Sequence, residues 1–293
     1  MSPKKQHVAI PCLDELYELP SCLDALARCQ DDGLCVWVCV NQPEEWWGDA
    51  EKKEICDRNV ETLGWLRGYK DLEVRVVDRC SRGRGWAHRK GGVGRARRAL
   101  VDAIEAEAPP DSIVVSLDAD TVVAENYLSQ VQKAFFSRPA MKGLVATYYH
   151  PLVGEGRRDR ALLRYEIYMR AYLIGLLKIR SPYAFTALGS VISFRLEAYK
   201  AVGGFPPRAA GEDFYFLQKL RKFGVLGLWG AGPVRPSSRP SLRVPFGTGP
   251  AVSRQLEGDG GGYPLFAFEY FVEIGQTTSR FREIFCEDVA TPM

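Results

Sequence analysis

The chain has 293 residues, of which 46% are hydrophobic and 26% are charged, and its formal net charge is +3. This length and composition suffice for a buried core in one large domain or two lobes, and they exclude a fibrous or disordered chain. The 28 glycines and 18 prolines follow no period, which excludes a collagen-like repeat. Because the mean hydropathy is −0.17, we expect a soluble globular protein and not a polytopic membrane protein.

The N-terminus and the cysteines bear on the cellular compartment. Residues 1–7 are polar and lead directly into the apolar run 8–10, without the apolar segment and cleavage site of a secretory signal. The cysteines form neither a zinc-ligand spacing nor a CxxC motif. We therefore expect a cytoplasmic protein with reduced, structural thiols. The apolar stretch 161–179 is interrupted by charged residues, which argues against a transmembrane helix and leaves peripheral membrane contact open.

The first half of the chain alternates short apolar runs with longer mixed segments, a pattern typical of parallel strands joined by helices. Strands are predicted at 8–10, 34–40, 72–77 and 112–117. Helices are predicted at 16–27, around 55–63, and at 92–107 from the spacing of apolar residues. This is a nucleotide-binding α/β pattern, and its functional loops are expected at the carboxyl ends of the strands.

The pattern changes after about Tyr148. Helices are predicted at 162–177 and 210–223, with an extended segment at 187–194. Gly, Pro and Ser accumulate in 230–262, which predicts a loop that is mobile without ligand. We therefore divide the chain into a first half, 1–150, and a second half, 151–293, that contains this Gly/Pro-rich loop.

Two carboxylates two residues apart follow the fourth predicted strand, in Ser116-Leu-Asp118-Ala-Asp120-Thr121. At the turn after the strand both can reach one Mg²⁺ or Mn²⁺ that bridges a diphosphate, with phosphate and water oxygens completing an octahedral shell. Alternatively they are turn residues, one of which caps the helix that starts near Ala124. The pair alone favours the turn interpretation.

Positions 79–98 contain eight basic residues and no acidic one, together with five glycines just before a predicted helix. The free N–H groups of a Gly-rich helix start, with cations nearby, suit phosphate. Nucleic acid is not an expected partner, because no RNA- or DNA-binding motif accompanies the charges. The remaining alternative is a solvated helix face with i,i+3 and i,i+4 ion pairs, above all for Arg97 and Arg98.

A second acidic pair, Glu212-Asp213, opens the predicted helix 210–223. Asp213 could accept a proton from an incoming hydroxyl, while Glu212 binds the acceptor or orients a neighbour. Alternatively, acids in the first turn interact favourably with the helix dipole and cap free N–H groups. Taken alone, the pair favours this structural role.

In their order and spacing these features resemble the family 2 glycosyltransferases over roughly residues 7–250. Ile10-Pro-Cys-Leu-Asp-Glu15 looks like the family's I-P-x-x-N-E turn, with Asp14 where Asn is usual. The segments that look like its G-x-x-x-A-R, D-x-D, G-x-x-x-x-F-R with G-G-F, and E-D motifs are 91–97, 116–121, 187–205 and 211–213. The resemblance implies a GT-A fold, an α/β architecture in which a Rossmann-like mixed sheet flanked by helices is fused to an acceptor-binding half.

The same resemblance implies a nucleotide-diphosphate sugar as donor, Mn²⁺ or Mg²⁺ as cofactor, and transfer of a sugar to a hydroxyl-bearing acceptor. Asp118 and Asp120 would bind the metal, Asp118 would also contact the donor, and Asp213 would be the base beside Glu212. The further donor-binding residues it implies are Pro11, Glu15, Asn41, Asp78, Arg95, Arg239 and Arg243. The first half would thus bind the donor and the second half the acceptor.

Two departures from the family pattern refine this expectation. Asn41-Gln-Pro-Glu-Glu45 stands where the family has an acidic D-x-S run. This segment therefore does not indicate how the nucleobase of the donor is recognised. The C-terminal part lacks the membrane helices and Q-x-x-R-W motif of processive polysaccharide synthases, so transfer of a single sugar is expected. With the base on the face opposite the leaving group, the displacement would invert the anomeric carbon. The alternatives are a retaining GT-A enzyme, a nucleotidyltransferase and a non-catalytic GT-A-like nucleotide-binding protein. The sugar, nucleobase, acceptor and oligomeric state are not assigned by these motifs.

Overall fold

The computed structural model describes residues 6–29, 33–87, 92–240, 247–258 and 263–286. The chain forms two compact units, the first comprising Met1–Pro151 with Ala187–Arg239, the second Leu152–Thr186 with Pro240–Met293. The sequence-based division into a donor half, 1–150, and an acceptor half, 151–293, concerns binding and stays a prediction. In packing, Ala187–Arg239 groups with the first unit and not with the rest of the second half.

A seven-stranded sheet in the order β3-β2-β1-β4-β6-β5-β7 lies at the centre of the first unit. Its strands are β1 Gln6–Cys12, β2 Leu34–Asn41, β3 Val74–Arg79, β4 Ile113–Ser116, β5 Met141–Tyr148, β6 Ile192–Arg195 and β7 Val225–Val234. β1 pairs in parallel with β2 and β4, and β2 pairs in parallel with β3. β6 is antiparallel to β4 and β5, and β7 is parallel to β5. The predicted Rossmann-like mixed sheet is therefore confirmed.

Helices cover the sheet of the first unit and make up most of the second. In the first unit they are α1 Leu19–Ala27, α2 Lys53–Gly68, α3 Val93–Glu105, α4 Tyr127–Ser137, α6 Leu196–Ala201 and α7 Glu212–Phe223. In the second unit they are α5 Gly156–Lys178, α8 Thr248–Leu256 and α9 Phe268–Cys286. No helix in the described part of the chain is long and apolar enough to cross a membrane.

The cysteines of the first unit lie in the core, which agrees with a structural role, and their reduced state stays a prediction. Those at positions 12, 22, 29, 35, 39, 56 and 80 are all free and buried. Burial raises the pKa of Cys12, Cys22 and Cys39. A raised pKa keeps a thiol protonated, and a buried thiol packs as a small hydrophobe.

The prediction of a loop over 230–262 is wrong in two places. β7 extends through Val234 because it pairs with β5. The hydrogen bonds of the sheet stabilise this strand despite its Gly and Pro residues. α8 forms over Thr248–Leu256 because Ala251 and Val252 are buried and Pro250 lies in the first turn, where a missing N–H costs nothing. Residues 241–246 and 259–262 of this predicted loop lie outside the described residues. β5 and α9 are further elements that the pattern did not predict.

Candidate active site

The carboxyl ends of four parallel strands bring the predicted donor-binding and metal-binding residues to one edge of the sheet. Glu15 follows β1, Asn41 ends β2 and Asp78 lies near the end of β3. Asp118 and Asp120 follow β4, which pairs with β1. This edge is where open α/β sheets bind their ligands.

The buried guanidinium of Arg97 on α3 joins the two acidic motifs. Its Nη2 donates to Asp118 Oδ1 at 2.6 Å, and its Nε donates to Glu212 Oε1 at 3.0 Å. Its Nη1 donates to the carbonyl of Gly189 at 3.2 Å and to the hydroxyl of Ser116. The Arg97 side chain is only 3% exposed. Residues that are about a hundred positions apart in the chain therefore converge on one buried cation.

The solvated-face interpretation was wrong for Arg97 and correct for Arg98. Arg98 is exposed and lies 3.7 Å from Asp102, four residues further along α3. Arg97 instead lies on the buried apolar side of the helix. Leu100, Val101 and Ile104, which follow it at spacings of three, four and seven, are fully buried. This spacing is the signal in the sequence that could have identified Arg97 as an inward-facing charge.

A glycine makes room for the Arg97 guanidinium. A Cβ atom built on Gly189 would overlap the guanidinium group of Arg97. Any larger residue at position 189 would therefore displace the arginine from its carboxylates. Gly189 lies in the segment that resembles the family's G-x-x-x-x-F-R signature, which gives this glycine a physical role in the site.

The two acids at the start of α7 both have raised pKa values. Burial raises the pKa of Glu212 to about 7, although the nearby Arg97 guanidinium favours its charged form. Burial also raises the pKa of the half-buried Asp213, which lies in the fields of Arg97 and Asp118 and accepts a hydrogen bond from the backbone N–H of Phe214 at 2.7 Å. A carboxylate with a raised pKa is a stronger base, and such groups cluster at functional sites.

A second arginine, Arg239, holds a separate set of carboxylates near the end of the first unit. Its Nη1 lies 2.7 Å from Glu18 Oε1, and its Nη2 lies 3.5 Å from Asp120 Oδ2. The same Nη2 forms a charge-assisted hydrogen bond with Glu15. The Arg239 side chain is 27% exposed. A cation thus already lies between Asp120 and Glu15, where the sequence predicted that donor and metal would bind.

The other predicted donor-binding residues are held by the backbone. The Asn41 amide donates to the carbonyls of Cys12 and Cys39 at 2.9 and 3.3 Å, and its oxygen accepts from the indole of Trp86 at 3.1 Å. Asp78 accepts from the N–H groups that follow it at positions 80 and 81. Burial alone would raise the pKa of Asp78, but these hydrogen bonds outweigh it and lower the pKa. Pro11 lies within β1, opposite Cys39 of β2.

The structure explains why Asp14 can stand where the I-P-x-x-N-E turn of the family has asparagine. Asp14 has a positive φ of 58°, in the left-handed region that Asn and Asp tolerate best. Arg58 on α2 binds its carboxylate with two hydrogen bonds of 2.6 and 3.1 Å, and the Asn59 side chain accepts from its N–H at 2.9 Å. A carboxylate at this position forms a bidentate ion pair that the usual asparagine could not. The sequence contained no signal that Arg58 would reach this turn.

One N–H group at the Gly-rich start of α3 is already bonded within the protein. The N–H of Gly94 donates to the carbonyl of Arg208 at 3.2 Å, so this amide is not free. Arg95 faces away from Arg97 and lines a cavity of about 570 Å³ together with Trp86 and Arg79. The binding of a diphosphate by Arg95 therefore stays a prediction. Arg243, the last predicted donor-binding residue, lies outside the described residues.

A divalent cation fits the chemistry of the acidic pair. No group of three or more His, Cys, Asp or Glu within the described ranges is arranged to hold a metal. Asp118 and Asp120 offer hard oxygen ligands, which Mg²⁺ and Mn²⁺ prefer, and such ions take their remaining ligands from substrate phosphates and water. The position of Arg239 on Asp120 shows that this carboxylate attracts a cation. The residues present therefore fit a metal that is completed by a donor diphosphate.

The fold of this chain is that of solved GT-A glycosyltransferases. S. aureus TarS 1–349 in complex with UDP-GlcNAc is 15% identical and aligns over 91% of this chain and 69% of TarS, with a TM-score of 0.56. A second structure of S. aureus TarS 1–349 aligns over 80% of this chain and 60% of its own length, with 14% identity and a TM-score of 0.53. The mannosyltransferase PcManGT from Pyrobaculum calidifontis, in complex with GDP-Man and Mn²⁺, is 18% identical over 82% of this chain and 58% of its own, with a TM-score of 0.50.

The sequence comparison finds a family model that matches part of the chain. A search of curated proteins finds no significant match. The family model described as "Glycosyl transferase family group 2" matches residues 113–246, a segment that contains Asp118, Asp120, Gly189, Glu212 and Asp213. This match supports the resemblance seen in the motifs: residues 113–246 of this chain are similar to glycosyl transferase family group 2. The chain spans only about 60% of the length of two of the structures that it resembles.

Proposed function

We propose that this protein transfers a single sugar from a nucleotide-diphosphate sugar to a hydroxyl acceptor, with Mn²⁺ or Mg²⁺, and inverts the anomeric carbon with Asp213 as the base. The observation that carries the proposal is the bridge made by Arg97, which holds Asp118 and Glu212 on one guanidinium. Because Asp213 adjoins Glu212 and lies in the field of Asp118, the two acidic motifs act on the same reacting group.

The donor side of the site is built to hold a diphosphate. Asp118 and Asp120 would hold the metal, which supplies positive charge that stabilises the leaving diphosphate. Arg239 lies on Asp120 and Glu15 and brings a guanidinium to the same place, where it can form charge-assisted hydrogen bonds with phosphate oxygens. Asn41 and Asp78, at the neighbouring strand ends, fix the loop beside the proposed nucleoside position.

The acceptor side has a carboxylate suited to proton transfer. The raised pKa of Asp213 increases its affinity for the proton that an attacking hydroxyl must lose. Arg97 limits this rise, because it favours the charged carboxylate. A base that acts on the face opposite the leaving group gives a single displacement, and the product then has the inverted anomeric configuration.

The ligands of similar structures support the substrate class. TarS was crystallised with UDP-GlcNAc and PcManGT with GDP-Man and Mn²⁺. Both ligands are nucleotide-diphosphate sugars. The two relatives differ in nucleobase and sugar, so the proposal extends to the class of donor and to no particular one.

A panel of donors tests the proposal directly. The melting temperature of the protein is measured with UDP-, GDP-, CDP-, TDP- and ADP-sugars, each with and without Mn²⁺, because a ligand that binds only the folded state raises it. We expect a Mn²⁺-dependent rise with one nucleotide and release of the nucleoside diphosphate when acceptor is added. Release of pyrophosphate would instead identify a nucleotidyltransferase, and binding without turnover would identify a nucleotide-binding protein. The anomeric configuration of the product, read by NMR, separates inversion from retention.

A further inference from the structure

The second unit carries an exposed apolar surface outside the acidic and arginine clusters of the candidate active site. On α5, Leu163, Ile167 and Ile174 are 41%, 54% and 54% exposed. On α9, Phe268 and Val272 are 41% and 37% exposed. Large apolar side chains that adjoin on a surface mark contact with another molecule or a membrane, whereas isolated ones need no explanation.

These α5 residues share one side of the helix with basic residues. At 3.6 residues per turn, positions 163, 167 and 174 lie within about 40° of one another around the helix axis. Arg160, Arg164 and Lys178 are exposed and fall on the same side. We call this surface the basic–apolar face, and it consists of Arg160, Leu163, Arg164, Ile167, Ile174 and Lys178.

The face continues from α5 onto α9. Phe271 of α9 is buried against Gly175 of α5, where an added Cβ would overlap the aromatic ring. The ammonium of Lys178 lies 4.6 Å from the centre of the Phe268 ring. Val272 lies one turn after Phe268 and therefore on the same side of α9. The apolar side chains of both helices thus form one surface with the basic side chains of α5.

The charged side chains that α5 contributes to this face are all basic, whereas α9 also carries the exposed Glu269 and Glu273. Both acidic residues of α5 lie elsewhere, since Asp159 accepts hydrogen bonds from the N–H groups of residues 153 and 154, and Glu166 is buried. In the described part of the chain, Arg160 and Arg164 form no ion pair or hydrogen bond through their side chains. These two guanidinium groups are therefore available to an external anion.

We propose that the basic–apolar face docks on the anionic surface of a lipid bilayer. A helix that lies in the membrane interface buries apolar side chains at headgroup depth, while its arginine and lysine side chains pair with anionic lipids. A second copy of the chain fits this face poorly. In a two-fold contact the same patch faces itself, so both copies would bring Arg160 and Arg164 into one interface.

Flotation of the full chain with lipid vesicles tests the proposal without donor, metal or acceptor, so its result is independent of the proposed transfer activity. The probes are phosphatidylcholine vesicles with and without phosphatidylserine. We expect binding to the vesicles that contain phosphatidylserine and release by high salt, because the attraction to anionic headgroups is screened. Absence of binding to both vesicles, or equal binding to both, overturns the proposal.

Two paired variants identify the surface that binds. Arg160→Glu with Arg164→Glu should lower the vesicle-bound to free ratio by about tenfold or more, because each basic residue near an anionic surface contributes about a factor of five. Lys133→Glu with Arg138→Glu, at exposed positions of the first unit, makes the same change in net charge and should leave binding unchanged. An equal loss in both pairs would show that net charge alone causes binding, and it would overturn the assignment to this face.

The apolar contribution has its own pair of variants. Ile167→Ser with Ile174→Ser should weaken vesicle binding, whereas Val60→Ser with Phe136→Ser, which removes exposed apolar side chains of the first unit, should not. Light scattering of the unmodified chain without vesicles tests the alternative that a second copy of the chain covers this face. A dimer that the Ile167→Ser and Ile174→Ser changes convert to a monomer would show that a second copy covers the face, and the lipid proposal would then be wrong.

Discussion

Two arginines hold the acids of the candidate active site, and they do so in different ways. Arg97 is enclosed by the carboxylates of Asp118 and Glu212, by a carbonyl and by a hydroxyl, and almost none of it reaches solvent. Arg239 contacts Glu15, Glu18 and Asp120 from the end of the unit, and about a quarter of its side chain is exposed. Arg97 therefore has the surroundings of a permanent counter-ion, and Arg239 those of a cation that a ligand can displace.

The difference separates the two carboxylates of the D-x-D motif. Asp118 binds the buried Arg97, which fixes its position relative to α7, whereas Asp120 binds the more exposed Arg239. We infer that Asp118 is preorganised and that Asp120 changes partner when donor and metal arrive. Replacing either arginine, or the acid that each one holds, tests this inference.

The largest effect is expected for Asp120→Ala. Loss of the proposed metal ligand should reduce Mn²⁺-dependent turnover by about a thousandfold or more, because a bound metal contributes several kcal/mol to stabilisation of the transition state. Release of the nucleoside diphosphate is measured over a Mn²⁺ titration. Glu18→Ala is the matched control, because Glu18 also contacts Arg239 but lies outside the motif. An equal loss in the control would show that Asp120 acts through Arg239 and not through a metal.

The second variant, Asp213→Asn, removes the proposed base and keeps the shape of the side chain. Turnover should fall by about 10²- to 10⁴-fold, the usual contribution of general base catalysis. The Kd for the donor should change little, because Asp213 acts on the acceptor. Single-turnover rates and donor titrations separate the two effects. Turnover at the wild-type level would exclude Asp213 as the base.

The third variant, Arg97→Met, tests whether this arginine is a permanent counter-ion. It leaves the buried Glu212 and the partly exposed Asp118 without their cation, which should lower the free energy of unfolding by about 3 to 5 kcal/mol. Urea denaturation measures the loss. Arg98→Met, a change at the next and exposed position of α3, should cost about 0.5 kcal/mol or less. If the two variants are equally stable, the Arg97 cluster does not stabilise the fold.

The strand ends and acidic motifs could be predicted from the sequence because they depend on local patterns. The apolar runs of β1, β2 and β4 are continuous, and such runs are typical of parallel strands covered on both sides. Partners far apart in the chain could not be predicted in this way. The contact of Arg97 with Glu212 spans 115 positions, and that of Arg239 with Glu15 spans 224. Only the folded sheet brings these residues together.

The fourth prediction concerns the effect of pH on stability through Glu212. Burial raises the pKa of Glu212 in the folded state to about 7, above its ordinary value of 4.5, so protonation favours the folded state. This contribution is fully present below pH 4.5 and is lost as the pH rises through 7. Glu212→Gln stays uncharged at every pH and is the reference. The free energy of unfolding of the wild type, relative to this variant, should therefore decrease between pH 4.5 and 7, by about 1.4 kcal/mol for each unit of pKa shift at most. A constant difference across this range would show that Glu212 does not titrate there.

The smallest effect is expected for Arg239→Gln, which completes the comparison of the two arginines. Because Arg239 is partly exposed, its loss should change the free energy of unfolding by about 1 kcal/mol or less. Its guanidinium is proposed to leave Asp120 and bind the donor diphosphate. The KM for the donor should therefore rise by about tenfold in the variant, because one charge-assisted hydrogen bond is lost. Arg28→Gln, at an exposed position after α1, is the matched control and should alter neither quantity. A stability loss as large as that of Arg97→Met, with an unchanged KM, would make Arg239 a second permanent counter-ion and remove the distinction between the two clusters.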